Sequence, residues 1–272
     1  MEAVQFGFIG AGNMGSALLR AMGKQTDSIL VSDHTPAKAE QLAAELHIQA
    51  GTNGDIARRC RMIFLAVKPQ AMQAALDELR EPLYRRLDQG EPVTLVTMAA
   101  GVTLDTLEKM LGRTCSMLRI MPNTPVAVGQ GVALYTAQRM MDEAAQQAFL
   151  KALAPAGQLV ELPEYQIDAA SAVSGCGPAY VYQFLHAMAM GGVRCGLRYD
   201  TALKLAAQTA AGAAHMVLET GENPELLKVK VCSPAGTTVE GVKALEDHAF
   251  SATVMEAVSA AYRRTLELKA RD

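Results

Sequence analysis

Residues 4–22 read VQFGFIGAGNMGSALLRAM, and this stretch decides the fold of the first half of the chain. Val4–Ile9 is a short apolar run that predicts a buried strand, and Asn13–Met22 is predicted to be a helix. The turn between them is Gly10-Ala11-Gly12-Asn13-Met14-Gly15, a GxGxxG pattern. Its glycines permit a tight turn, a close approach of pyrophosphate to the backbone, and close packing of helix on strand. The stretch therefore predicts a dinucleotide site at a helix N-terminus.

Strand and helix patterns alternate over residues 1–162, which are predicted to form an α/β Rossmann domain with a doubly wound, mostly parallel sheet. The predicted strands are Val4–Ile9, Ile29–Ser32, Met62–Val67, Pro92–Met98, Cys115–Met121, Val132–Tyr135 and Leu159–Leu162. The predicted helices are Asn13–Met22, Pro36–Leu46, Pro69–Leu79, Leu104–Leu111 and Asp142–Ala154.

The pattern changes after Pro163, and residues 163–272 are predicted to form an all-α domain. Asp200 is expected to cap one of its helices and Gly221 to end that helix. Alanine lies on several faces of the same helix, which favours burial in a bundle or against a partner chain. The predicted helices are Ile167–Ser174, Pro178–Gly191, Asp200–Thr220, Thr237–Asp247 and Ser251–Lys269.

Composition narrows the class of protein. Of 272 residues 19% are charged, and the net charge of −3 implies no basic face, so nucleic acid and anionic membranes are not expected as partners. The five cysteines are scattered, without a CxxC pair, which favours a reducing cytoplasm and predicts neither a disulfide framework nor a metal site. We find no signal-peptide pattern and no apolar run long enough to span a membrane.

Residues at the carboxyl ends of the predicted strands are candidates for the cofactor site, because ligands bind at that edge of an open parallel sheet. Asp33 follows the glycines by about 20 residues, where an acid accepts hydrogen bonds from the ribose hydroxyls. A carboxylate there favours NADH, whereas Ser32, His34 and Thr35 are able to donate to the 2′-phosphate of NADPH. The sequence leaves both cofactors open. Lys68 either contacts phosphate or reaches solvent.

Six motifs in order make the whole chain resemble the pyrroline-5-carboxylate reductase family. They are FIGAGNMG at Phe8–Gly15, AVKP at Ala66–Pro69, AAGV at Ala99–Val102, MPNTP at Met121–Pro125, SGCGPAYVY at Ser174–Tyr182 and CSPAGTTVEGVKALE at Cys232–Glu246. The resemblance implies NAD(P)H-dependent reduction of 1-pyrroline-5-carboxylate to L-proline. It also implies a helical domain, residues 163–272, that binds substrate and forms homodimers or higher oligomers such as decamers.

The expected cofactor site combines the glycine turn with the strand ends: Ile9, Gly10, Ala11, Gly12, Asn13, Met14, Gly15, Ser32, Asp33, Asn53, Ala66, Val67, Lys68, Pro69, Ala99, Ala100 and Asn123. The expected substrate site, for a small cyclic imine carboxylate, comprises Ser233, Pro234, Ala235, Gly236, Thr237, Lys230 and Gly177. Backbone N–H groups of such a loop before a helix bind an anion. The resemblance implies that the hydroxyl of Thr238 lies near the ring nitrogen of the substrate as the catalytic group.

Several residues depart from the family pattern, among them Cys176, His186, Met190, Val229 and Lys230, and Ala235 replaces a usual glycine. Lys230 either pairs with the substrate carboxylate or points to solvent. Two alternatives therefore stay open. One is a reductase of another small cyclic imine, and the other is a non-catalytic regulator that senses a dinucleotide. The SPAGTT loop at Ser233–Thr238 is intact, which argues against the regulator, because a regulator has no need of a substrate loop.

Overall fold

The computed structural model describes residues 4–23, 28–138 and 141–269 of the chain. It divides into two compact units, one made of Met1–Gly175 with Arg264–Asp272 and the other of Cys176–Arg263. The first unit is an α/β layer structure and the second is entirely helical over its described residues. The predicted fold class, a Rossmann domain followed by a helical domain, is therefore confirmed.

One sheet forms the centre of the first unit. Its strands are β1 Val4–Ile9, β2 Ile29–Ser32, β3 Gln49–Ala50, β4 Cys60–Leu65, β5 Thr94–Thr97, β6 Ser116–Pro122, β7 Gly131–Ala137 and β8 Gly157–Glu161. They lie in the order β3-β2-β1-β4-β5-β6-β7-β8, and every neighbouring pair is parallel except β6 with β7. The strand order reverses between β1 and β4. In such sheets the carboxyl ends of the strands at the reversal form the ligand crevice.

Over the described residues, seven α-helices that lie wholly in this unit cover both faces of the sheet, which explains why its central strands are apolar on both sides. They are α1 Asn13–Met22, α2 Pro36–Leu46, α3 Asn53–Arg59, α4 Pro69–Asp88, α5 Leu104–Leu111, α6 Glu143–Leu153 and α7 Glu164–Ser174. On one face Phe8 of β1 stacks on Phe64 of β4 with ring centroids 4.3 Å apart. On the other face Ile63 and Leu65 pack among residues of α3, α4 and α5.

Several features of this unit differ from the sequence-based prediction, and β5 to β8 and α6 differ from their predicted bounds by one or two residues at each end. Strand β4 begins at Cys60 and ends at Leu65 rather than spanning Met62–Val67. Helix α4 continues past Leu79 to Asp88 in spite of Pro82, because Leu76, Leu79 and Leu83 form one fully buried stripe. The sequence analysis missed β3 and α3, although Thr52 and Asp55 make a capping box at the start of α3.

Helix α7 belongs to the first compact unit, whose longer segment ends at Gly175. Ile167 of α7 is fully buried, and the Asp168 carboxylate lies 2.7 Å from the guanidinium of Arg119 on β6. These contacts explain why the segment packs with the sheet. The boundary at 162/163 stays a prediction.

The second unit consists of α8 Gly177–Arg194, α9 Tyr199–Thr220, α10 Pro224–Val231, α11 Thr237–Asp247 and the first part of α12 Phe250–Lys269. The prediction that Asp200 caps α9 was wrong, since Arg198 is the N-cap and Asp200 lies in the first turn. Gly221 ends the helix in a left-handed conformation, as predicted. The sequence analysis also missed α10, which Asn223 caps through a 2.8 Å bond from the N–H of Glu225.

Large apolar side chains of the second unit are exposed in the single chain. Leu218 is 78% exposed, Val231 66% and Met255 64%. The alanine-rich helix α9 has only Ala202 and Ala206 buried among its described residues. Such a concentration of exposed apolar surface is typical of a face covered by another chain. Across the described residues, no helix is both long enough and apolar enough to cross a lipid bilayer.

Candidate active site

The glycine turn between β1 and α1 is locked by two close approaches of backbone. Gly10 has a φ of 108°, and a Cβ there would lie 2.5 Å from the carbonyl oxygen of Ala66. A Cβ on Gly15 would lie 2.3 Å from the carbonyl oxygen of Gly10. Gly12 differs, because a Cβ at that position would meet no atom within 4 Å. Two of the three glycines therefore serve the fold, and the third leaves space for a ligand.

A cavity of about 460 Å³ opens in front of this turn at the carboxyl ends of β1, β4 and β5. It is lined by Gly12, Asn13, Met14, Ala66, Val67, Lys68, Pro69, Met98, Ala99 and Ala100. Nine of these ten residues were expected in the cofactor site, and only Met98 was not. Gly12 is the N-cap of α1 and no side chain caps that helix. An uncapped N-terminus attracts a negative charge, so the cavity suits the pyrophosphate of a nicotinamide dinucleotide.

Asp33 holds the glycine turn in place. One carboxylate oxygen accepts a hydrogen bond of 2.8 Å from the N–H of Ala11, and the other accepts one of 2.9 Å from the N–H of Thr35. The side chain is only 6% exposed, and Nδ1 of His34 lies 3.0 Å away. An ionised carboxylate has about four lone-pair sites, so these bonds leave capacity for a ribose hydroxyl. The expected ribose contact stays a prediction, beside a loop-ordering role that the sequence analysis did not foresee.

Three other expected cofactor residues have partners within the protein. Ser32 donates to the amide oxygen of Asn53, whose amide nitrogen donates to Glu78 over 2.8 Å. Asn123 is buried, accepts a bond from the N–H of Val132 and donates to the carbonyl oxygen of Ser174. Asn123 therefore ties the end of β6 to β7 and to α7, and it does not line the cavity. Its proposed contact with cofactor stays untested.

The SPAGTT loop of the second unit leads directly into α11, which begins at Thr237. Its turn is closed by a 3.0 Å hydrogen bond from the N–H of Gly236 to the carbonyl oxygen of Ser233. Gly236 is the N-cap and no side chain caps the helix. A Cβ at Gly236 would lie 2.2 Å from Oγ of Ser233, so a side chain there would require the Ser233 hydroxyl to move. The loop thus presents uncapped backbone N–H groups of an 11-residue helix, the arrangement that binds a carboxylate.

Ala235 is strained within this loop, because its φ is 55° in the left-handed region that favours glycine. Lys230 is 64% exposed and pairs with Glu222, its Nζ lying 2.6 Å from a carboxylate oxygen. Gly177 is the first residue of α8, and a Cβ there would meet no atom within 4 Å. His186 of the same helix lies 3.1 Å from the hydroxyl of Tyr199 on α9.

Two family models match the chain. One, described as "Pyrroline-5-carboxylate reductase dimerisation", matches residues 164–268, and the other, described as "NADP oxidoreductase coenzyme F420-dependent", matches residues 5–91. A pyrroline-5-carboxylate reductase from Synechocystis is 39% identical, with 98% of both chains covered. The Escherichia coli enzyme of the same name is 37% identical, with 97% of this chain and 98% of that protein covered. The chain belongs to the pyrroline-5-carboxylate reductase family.

Solved structures of pyrroline-5-carboxylate reductases agree with this assignment. The structure from Coxiella burnetii superposes with a TM-score of 0.87 at 29% identity, covering 98% of this chain and 99% of that one. The Plasmodium falciparum structure, which has NADP bound, gives a TM-score of 0.82 at 30% identity, covering 97% of this chain and 98% of that one. Both likenesses extend over the Rossmann and the helical parts of the family fold.

Two glycines of the turn, Gly12 and Gly15, are expected to respond differently to valine. Gly12→Val should leave the fold intact, because a Cβ at this position has space. The valine side chain should, however, block the approach of the pyrophosphate. The affinity for NADPH and NADH should therefore fall by at least about 100-fold, roughly 2.7 kcal/mol. Gly15→Val costs roughly 4 kcal/mol or more of stability through its backbone clash. Thermal melts and fluorescence titrations measure both. A folded Gly12→Val protein with wild-type affinity would remove the turn from the cofactor site.

Strain at Ala235 predicts an unusual response to glycine. Left-handed backbone costs a non-glycine residue about 1–2 kcal/mol, whereas the greater unfolded-state freedom of glycine costs about 0.4–1 kcal/mol. Ala235→Gly is therefore expected to keep or slightly raise the free energy of unfolding. The matched control is Ala74→Gly on the exposed face of α4, which should lower it by about 1 kcal/mol. Equal losses in urea melts of the two variants would show that Ala235 is unstrained.

Proposed function

We propose that this protein is an NAD(P)H-dependent reductase of a five-membered cyclic imine carboxylate, converting 1-pyrroline-5-carboxylate to L-proline. The observation that carries the proposal is the open cavity at the glycine turn in a chain that belongs to this family. A reduced nicotinamide bound there supplies a hydride for the imine carbon. The reaction consumes one hydride and one proton, and it leaves the secondary amine and the oxidised cofactor.

In this proposal the first unit binds and orients the dinucleotide. Gly12 gives the pyrophosphate access to the N-terminus of α1, and Lys68 stands exposed at the start of α4, where its charge favours phosphate. The small side chains of Ala99 and Ala100 leave room for a flat ring on the cavity wall. Holding reactants in an attack geometry is the main requirement of hydride transfer to an already electrophilic iminium carbon.

The substrate carboxylate is proposed to bind the SPAGTT loop. The loop offers the uncapped N–H groups at the start of α11, where the helix dipole favours a negative charge. Lys230 is committed to Glu222 at 2.6 Å, which supports a role beside the loop and not on the carboxylate.

Thr238 is the proposed catalytic residue. It occupies the second position of α11, and among the described residues its hydroxyl makes no hydrogen bond and caps no helix. A half-buried hydroxyl without a structural partner is able to donate to or accept from the ring nitrogen as that atom becomes an amine. An interaction that strengthens as the nitrogen changes from planar to pyramidal lowers the barrier rather than the substrate affinity.

Initial rates test the proposed function directly. We expect oxidation of NADPH or NADH to require 1-pyrroline-5-carboxylate and to yield proline, with a six-membered piperideine carboxylate turned over more slowly. Faster turnover of the six-membered imine would redirect the substrate assignment. Binding of reduced cofactor without turnover of any imine would support the regulator instead.

Thr238 yields the sharpest prediction about the reaction. Thr238→Ala should lower kcat and kcat/KM together, by about tenfold to a few hundredfold, because the lost bond acts in the transition state. Since the hydroxyl caps nothing, the melting temperature should stay close to that of the wild type. Thr238→Ser restores the hydroxyl and should recover much of the rate. A lower melting temperature with an unchanged rate per folded molecule would assign Thr238 to structure alone.

The protein is further proposed to act as a homodimer or a higher oligomer, up to a decamer. The match to a dimerisation family and the exposed apolar side chains of the second unit support this. Between α8, α11 and α12 lies an apolar cavity of about 550 Å³ lined by residues such as Tyr180, Phe184, Met188, Phe250 and Val254. Covering such a surface is favourable at roughly 25 cal/mol per Å² of apolar area. The cytoplasmic location expected from the cysteine pattern stays a prediction.

Light scattering tests the oligomer. We expect a mass of at least two chains at micromolar concentration and a melting temperature that rises with protein concentration, because association stabilises the folded state. Val254→Glu, which places a charge on the apolar surface, should shift the protein toward smaller species. A mass of 28.9 kDa with full activity would contradict the proposal.

A further inference from the structure

We propose that a partly buried charge cluster of Arg119, Glu164, Asp168 and Lys269 positions the cofactor-lining loop between β5 and α5, and we name this cluster the loop clamp. The inference rests on the proposed function, since the loop matters as part of the cofactor site. None of the four residues lines the cofactor cavity, so each would act through the loop. The four residues are therefore positioning residues.

Arg119 is the centre of the clamp. It lies in the middle of β6, pairs in register with Thr97 of β5, and is fully buried. Within the described residues its Nε and Nη1 make no hydrogen bond, and Nη2 donates to Asp168 over 2.7 Å. A buried guanidinium is retained only where opposite charges compensate it. The position of Arg119 thus fixes where carboxylates must lie.

The carboxylate of Asp168 forms ion pairs with two cations, Arg119 and Lys269. Its second oxygen accepts a hydrogen bond from Nζ of Lys269, near the end of α12, in addition to the bond from Arg119. Burial raises the pKa of the Asp168 carboxyl, but the Lys269 hydrogen bond and the Arg119 charge outweigh it and hold the pKa below its ordinary value. With Glu164 the cluster holds two positive and two negative groups. Removing any one leaves an unbalanced charge in a largely buried site.

Two arms of the cluster reach the loop that follows β5. Glu164 lies 3.5 Å from Nη1 of Arg119, and its Oε1 also accepts a 2.8 Å hydrogen bond from the N–H of Leu104, where the loop ends. The stem of Lys269 lies beside Gly101, since a Cβ on that glycine would meet Cγ of Lys269 at 3.8 Å. The same loop supplies Met98, Ala99 and Ala100 to the wall of the cofactor cavity.

The geometry gives the clamp a specific consequence. Loop residues Ala99 and Val102 are joined by one long backbone bond of 3.3 Å, and Gly101 turns the chain with a φ of 82°, which glycine adopts readily. Fixing the loop at Gly101 and Leu104 holds Ala99 and Ala100 against the cavity. Loss of the clamp is therefore expected to weaken cofactor binding more than imine binding.

Lys269→Met tests this directly, because methionine keeps an apolar stem and removes the charge. We expect Kd and KM for the reduced cofactor to rise about three- to tenfold, while KM for the imine changes less than twofold. Lys269→Arg should restore cofactor affinity. The matched control is Arg264→Met on the same helix, which loses an exposed 2.7 Å pair with Glu267 and contacts no clamp residue in the described structure. It should behave as the wild type.

If Lys269→Met folds poorly, variants of Glu164 and a measurement without cofactor still test the proposal. Glu164→Gln retains an oxygen for the N–H of Leu104, whereas Glu164→Ala removes it. Amide hydrogen exchange of the cofactor-free enzyme should show faster exchange at Leu104 in the alanine variant than in the glutamine variant. Light scattering of each variant checks that the oligomer is unchanged.

The possible outcomes decide the matter. A selective loss of cofactor affinity, absent from Arg264→Met, supports the clamp. A lower melting temperature with unchanged cofactor Kd per folded molecule, or parallel rises in both KM values, overturns it and assigns the cluster to stability alone. If the wild-type protein binds neither reduced cofactor, the proposed function fails first and the clamp fails with it, so the two failures are distinguishable.

Discussion

The cofactor half of this protein depends on how closely the glycine turn approaches the end of β4. The φ of 108° at Gly10 and the missing side chain at Gly15 let α1 start almost in contact with Ala66. This proximity brings the helix N-terminus to the point where the strand order reverses, so that unpaired N–H groups face the crevice. Any Cβ at either position would push the helix away, and the cavity lined by β1, β4 and β5 would lose one wall.

Close approach at the turn needs a second restraint, which comes from a residue more than twenty positions away. Asp33 accepts the N–H of Ala11 over 2.8 Å and so fixes the middle of the turn from the end of β2. A buried carboxylate is stable there because N–H donors satisfy both of its oxygens. The sequence analysis predicts that the same charge meets the ribose of the cofactor and so affects the choice between cofactors with and without a 2′-phosphate. The bonds to Ala11 and Thr35 give this side chain a structural role whatever the cofactor.

The sequence analysis predicted correctly those helices and strands whose bounds depend on local sequence patterns. The bounds of β1, α1, β2, α2 and α5 were predicted to the residue, because apolar runs with glycine or proline at their ends leave little freedom. Nine of the ten cavity residues were predicted because strand ends of a parallel sheet converge. Helix α4 was predicted too short, since burial of Leu83 outweighs the cost of Pro82 and only the folded structure shows that burial. Asp200 fits an N-cap by residue type, yet the helix begins one residue earlier.

Contacts between distant segments were beyond sequence reasoning. Nothing in the pattern around Arg119 indicates that it is fully buried, that Asp168 pairs with it from 49 residues further along the chain, or that Lys269 in turn pairs with Asp168. The sequence analysis expected Asn123 in the cofactor site because it ends a strand. In the structure its amide group forms hydrogen bonds with the backbone of Val132 and Ser174. In both cases a polar side chain is buried and so must find partners inside the protein. Those partners are also what places α7 with the sheet, because Asp168 on α7 compensates the Arg119 charge that β6 buries.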